Sequence, residues 1–158
     1  MTMFKKLAIA TTASLFASAG IAVASDSKSY PASLCEVWSG SSNVFFSMRE
    51  NLTGGPASMD CPVIKDGNNI TSASVRVQDL NTVSAVECVL LTVSVSGTGF
   101  SVSNTPKAAS AGNDAGWKTL SFSGLTVAPL GHSFISCTLP AFDLGQSRLA
   151  NYFVVESD

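Results

Sequence analysis

Val86-Glu-Cys-Val-Leu-Leu-Thr-Val-Ser-Val95 is the stretch whose reading decides the fold. It is a run of β-branched and aliphatic residues that turns to strict apolar–polar alternation at its end, the pattern of a central strand. Cys88 lies within it. A second apolar run, Phe134-Ile-Ser-Cys-Thr-Leu139, carries Cys137 in its middle and is the expected neighbour. Parity places Cys88 with Val86 and Leu90, but also with Thr92 and Ser94.

Working outward, Leu34–Trp38 and Asn43–Met48 read as the first two strands, separated by the loop Ser39-Gly-Ser-Ser42. Asn51–Ser58 is loop by its Gly and Pro content. Cys61–Lys65 is expected as a short edge strand, because Pro62 has no N–H to give a ladder. Thr71–Leu80 alternates cleanly, with Ala73, Val75 and Val77 on one face and Ser74, Arg76 and Gln78 on the other. Trp117–Leu125 does the same, setting Leu120 and Phe122 against Thr119, Ser121 and Ser123. His132–Leu139 and Arg148–Glu156 complete the set. Ser25–Ser33 reads as a polar lead-in, and Ser96–Gly116 as a long loop or weak hairpin around Gly99-Phe100-Ser-Val-Ser103. About eight strands, with no sustained 3.6-residue apolar period after residue 24, predict an all-β antiparallel β-sandwich of jelly-roll or immunoglobulin-like kind.

The first residues bear on the compartment. Lys5 and Lys6 precede a modestly apolar stretch, Leu7–Gly20, and Ala22-Val23-Ala24 has the small-x-small form of a signal-peptidase site. We therefore expect residues 1–24 to be a signal peptide and 25–158 a single domain, secreted or periplasmic and not membrane-spanning after cleavage. Two Thr, two Ser and the lack of a basic stop-transfer flank disfavour a retained anchor. Residues 25–158 hold seven Lys/Arg and eleven Asp/Glu, a formal −4. With no basic patch to neutralise phosphates, nucleic acid and anionic membrane surfaces are poor partners.

Four cysteines in an exported chain predict two disulfides. Of the three possible pairings, Cys35–Cys61 and Cys88–Cys137 each tie elements placed side by side. Closing loops of about 27 and 50 residues would contribute roughly 3.5 and 4 kcal/mol in the loop-entropy model.

Chemistry-bearing patterns are sparse. His132, the single histidine, sits in Gly131-His-Ser-Phe-Ile135, which lacks the second glycine and the following helix of an esterase elbow. One histidine and no C-x-x-C pair argue against zinc. Asp66-Gly-Asn-Asn69 and Asn113-Asp114 fit turns better than a calcium loop, so neither metal nor cofactor is expected. Gly97-Thr-Gly99 has no following helix to cradle phosphate. Glu36, Glu50, Asp60 and Asp79 form no recognisable catalytic pair. Asn51-Leu-Thr53 and Asn69-Ile-Thr71 match the glycosylation sequon and are given no role. Trp38, Phe45, Phe46, Trp117 and Tyr152 could offer a sugar-stacking face, although most are expected in the core. Trp117, beside the glycine-rich stretch, is the candidate ligand-binding residue.

The spacing Cys35…Cys61-Pro62…Cys88…Cys137-Thr-Leu-Pro140, with the terminal Asn151-Tyr-Phe-Val-Val-Glu156, resembles a group of small exported bacterial proteins. The resemblance implies a disulfide-tied β-sandwich and carries over no catalytic residue. The expectation is a non-enzymatic binding or structural module whose partner is a glycan or a surface protein. One alternative is a surface-fibre subunit joined by strand addition, against which residues 25–33 are too polar for a good donor strand. The other is a glycan-active enzyme.

Overall fold

The computed structural model describes residues 25–66, 69–127, 130–142 and 145–157, so the expected signal peptide lies outside the described residues. Twelve strands are present among them: β1 (Ser25–Pro31), β2 (Glu36–Ser39), β3 (Asn43–Phe45), β4 (Met48–Asn51), β5 (Ala57–Val63), β6 (Asn69–Asp79), β7 (Glu87–Ser96), β8 (Gly99–Asn104), β9 (Ala108–Ala109), β10 (Asp114–Thr126), β11 (His132–Leu139) and β12 (Ser147–Ser157).

From β4 onward the chain is one long hairpin rolled up. Its bend is the turn Gly97-Thr98 between β7 and β8, where Gly97 takes the left-handed φ of +58° that a two-residue turn asks of glycine. Moving back from that bend, β6 pairs β10, β5 pairs β11 and β4 pairs β12, all antiparallel. Rolling the ribbon gives a front sheet, β4-β12-β6-β10, and a back sheet, β5-β11-β7-β8. Successive strands thus cross between layers instead of staying in one, which is jelly-roll and not immunoglobulin order. β3 extends the front sheet, β2 and β9 the back sheet, and β1 lies along the far half of β12.

The alternation read from sequence fills the space between the sheets. Ala73, Val75 and Val77 of β6 meet Leu120 and Phe122 of β10, Leu149, Tyr152 and Val154 of β12, Met59 of β5, Leu90 of β7, and Ile135 and Leu139 of β11, all buried. Each fully buried aliphatic chain contributes roughly 1.5–3 kcal/mol. Cys88 stands directly across from Cys137 on β7 and β11 and is bonded to it. Cys35, just before β2, is bonded to Cys61 on β5, so both disulfides staple the back sheet. Thr92 also faces inward, and its hydroxyl donates to the His132 carbonyl at 3.2 Å.

Two buried polar residues hold the connections. Asp79 at the end of β6 is fully buried, and its carboxylate accepts from Asn81 N at 3.1 Å, Val86 N at 3.0 Å, Ser147 Oγ at 2.8 Å and the Ser110 hydroxyl. Asn51 is likewise buried. Its Nδ2 donates to the carbonyls of Gly55 and Pro140 at 2.8 Å while Oδ1 accepts from Thr53 N and Oγ1.

Several local expectations are corrected. Ser25–Pro31 is not a lead-in but a strand, held where Tyr30 stacks on Tyr152 with ring centroids 5.0 Å apart. Asn43–Met48 is not one strand but a hairpin, whose turn residues Phe46 and Ser47 both have positive φ, as a type I′ turn requires. β5 starts at Ala57 and lies between β2 and β11, so it is not an edge. Pro62 is tolerated because it stands beyond Asp60, the last residue of β5 paired to β2 on that side. Of the two readings of Ser96–Gly116 the hairpin holds and the long loop does not: β7 and β8 pair around Gly97-Thr98, and β9 and the start of β10 follow.

Candidate functional site

Packing the inward rows of the front sheet leaves a polar outer face, and two irregularities shape it. In β12 both Leu149 and Tyr152 face the core, so one extra residue is inserted between them: Leu149 pairs with Val77 and Asn151 with Arg76. Ala150 and Asn151 together form the outward side of this bulge. In β10 the register shifts between Asp114 and Lys118, and Trp117 sits in the displaced segment. Bulges of this kind bend a strand and re-aim its side chains.

Between the two bulges lies a cleft of ≈ 470 Å³. Arg76, Ala150 and Asn151, neighbours across β6 and β12, supply its floor. Trp117, 36 % exposed, stands on the β10 side. Ser29 and Pro31 of β1, with Ser47 and Met48 of the β3–β4 hairpin, stand opposite. Arg76 is the single charged residue among those lining it, and no ion pair to Arg76 is seen among the described residues. Glu50, the carboxylate of β4 on the same face, is already taken, by Arg148 Nε and Gln146 Nε2 at 3.1 Å each. The Asn151 Oδ1 is buried with no hydrogen-bond partner, a cost unless something supplies a donor.

The chemistry of this lining suits a neutral or anionic polar molecule with an apolar face. An indole offers stacking area, a guanidinium offers several donors in a fixed fork, and serine hydroxyls give or take hydrogen bonds.

The other residues singled out from sequence fall elsewhere. Tyr152 is core, and burial pushes its phenol above the usual tyrosine range. Trp38, Phe45 and Phe46, expected in the core, are exposed. Phe45 and Phe46 meet edge-to-face with centroids 4.4 Å apart at the tip of the hairpin that borders the cleft. Trp38 lies on β2 and donates to Asp60 at 3.2 Å. His132 stacks on Phe134 at 6.0 Å, while Ser133 beside it turns inward and donates to Thr92 Oγ1. The two cannot work on one substrate atom from that arrangement. They border a second cavity, ≈ 490 Å³, on the back sheet's outer face, where Glu36 and Asp60 lie in register across β2 and β5. Among the described residues no group of three or more His, Cys, Asp or Glu could hold a metal ion. Asn51 of the first sequon is fully buried and committed to five contacts, leaving no amide free for a sugar. Sequence reasoning gave neither Arg76 nor Asn151 a binding role: Arg76 reads only as an outward residue of an alternating strand and Asn151 only as part of the terminal run.

β1 is clipped at its middle. Lys28 Nζ donates to Asp66 and to buried Glu156 Oε2 at 3.1 Å. The hydrogen bond to Asp66 comes first among the causes that raise the Lys28 ammonium above its usual range, and the same bond holds the Asp66 carboxyl below its own.

No family model matches the chain, and no curated protein matches it. Among solved structures it is similar to the CBM36-1 domain of a multidomain xylanase from the hindgut metagenome of Trinervitermes trinervoides. That match has 8 % identity and a TM-score of 0.52, covering 84 % of this chain and 98 % of that one. A carbohydrate-binding module CBM36 in complex with calcium and xylotriose matches at 12 % identity and TM-score 0.46, over 83 % and 99 %. A family two carbohydrate esterase from Cellvibrio japonicus matches at 11 % identity and TM-score 0.48. The match covers 84 % of this chain, which spans 34 % of the esterase. The likeness to the xylanase domain shows the fold: a two-sheet β-sandwich, here tied by two disulfides.

Proposed function

We propose that residues 25–158 form a single exported, non-enzymatic module that binds glycan in the front-sheet cleft, in the periplasm or outside the cell. The observation that carries the reading is the cleft: Trp117 on one side of a floor made by Arg76 and Asn151. A pyranose ring has an apolar C–H face that stacks on indole and a rim of hydroxyls that needs donors and acceptors, and its size suits a cavity within the ~300–1,000 Å³ of small-molecule sites. The shared fold with a carbohydrate-binding domain agrees with this as an analogy of fold. The two disulfides suit an oxidising compartment.

The edge of β12 is occupied by β1 of the same chain, so strand addition there would require β1 to leave. The test is a glycan-array screen of oxidised protein 25–158 beside Trp117→Ala. Binding that disappears in a folded Trp117→Ala protein supports the reading. A blank array from folded protein overturns it.

A further inference from the structure

We infer that the ligand of this cleft is an acidic glycan, one whose sugar carries a carboxylate or sulfate placed against Arg76; the inference rests on the glycan-binding reading above. Neutral sugars need donors and acceptors in balance and no net charge. This cleft has a different make-up.

Arg76 is exposed, central and the single charged group lining the cavity. Its cross-strand neighbours are Thr119 on β10 and Asn151 on β12, neither of them acidic. Along β6 its outward neighbours are Ser74 and Gln78, again uncharged. Glu50, on the same face but on β4 beyond β12, is held by Arg148 and Gln146. The guanidinium therefore keeps its fork of donors for a ligand, and that fork matches the geometry of a carboxylate or a sulfate. Trp117 alongside supplies the stacking surface for the ring that bears the anion. With the chain from residue 25 at a formal −4, long-range attraction does not account for such binding. The contact is short-range and specific to Arg76.

The experiment is titration calorimetry of oxidised protein 25–158 with three sets of oligosaccharide. The first is oligogalacturonate and oligomannuronate, each compared with its methyl ester. The second is a sulfated galactan fragment compared with the desulfated one. The third is neutral xylo- and cello-oligosaccharides. The expected result is binding to at least one acidic member at least tenfold tighter than to its neutral counterpart. Arg76→Gln abolishes that preference without changing the fold, and Trp117→Ala weakens acidic and neutral members alike. Which acidic set responds identifies the anion. Equal affinity for charged and neutral members, or a preference that survives Arg76→Gln, overturns the acidic-ligand inference and leaves glycan binding standing. No binding to any set by folded protein overturns both.

Discussion

Replacing Asp79 by Asn changes one heavy atom and should cost about 3 kcal/mol of stability. The carboxylate is fully buried and receives four hydrogen bonds: Asn81 N and Ser147 Oγ on Oδ1, Val86 N and Ser110 Oγ on Oδ2. Whichever oxygen becomes the amide nitrogen then faces one serine hydroxyl and one backbone N–H. The hydroxyl can rotate to accept. The N–H cannot, and a buried donor left without an acceptor costs roughly 1–3 kcal/mol. The remaining bonds lose their charge assistance, which about halves their strength. Against this stands the relief of burying a neutral group instead of an anion. With four donors already converging on the carboxylate that relief is small, so the loss dominates. Set against the ~5–15 kcal/mol of a typical domain, the change is easily measured. Urea denaturation of the oxidised protein should show a lower midpoint with an unchanged slope, and Ser110→Ala a loss of about 1 kcal/mol. An Asp79→Asn protein within 1 kcal/mol of the parent would refute the argument.

Four further outcomes are expected. On the alkaline side, burial raises the Tyr152 phenol and the bond to Asp66 raises the Lys28 ammonium. Both protons leave the unfolded chain first, so stability is whole below about pH 10 and falls as pH rises beyond it; Tyr152→Phe should flatten the fall, and an unchanged slope counts against it. On the acid side Asp66 is held below its usual range by Lys28, so its contribution is present above about pH 4 and lost as pH drops through the lowered value. Gly40 has φ +76°, and a Cβ there would lie 2.2 Å from the Pro56 carbonyl oxygen, so Gly40→Ala should cost about 2 kcal/mol or more. Gly54→Ala, with open space around it, should be near neutral in the same denaturation assay.

The two-sheet layout was readable because strands such as β6 and β10 keep strict alternation, and a half-buried strand has few other ways to be written. The cleft was far less readable. A period-two reading of β12 puts Leu149, Asn151 and Phe153 on one face, and the inserted Ala150 is what sends Asn151 outward. Such an insertion leaves no mark in composition. The β3–β4 turn was hidden for a related reason: Phe46 and Ser47 take positive φ without the Asn-Gly pair that advertises it. β1 looked too polar to be a strand because its support is tertiary, the Tyr30 ring on Tyr152 and the Lys28 clip. Trp38, Phe45 and Phe46 were placed inside on average burial, yet hairpin tips and short edge strands have no second layer to cover them.

Ser25 and Ser157 are paired at the outer end of β1 and β12, so a pull applied between them meets the strands as a zipper. Register pairs would open one after another at low force, where opposed strand ends would have to shear together. The extension would then be cut short. Cys35–Cys61 and Cys88–Cys137 lock the chain between their cysteines, so only the segments from 25 to 35, 61 to 88 and 137 to 157 can lengthen. Under tension the front sheet is the part that yields first, and the back sheet is a covalently bounded stop.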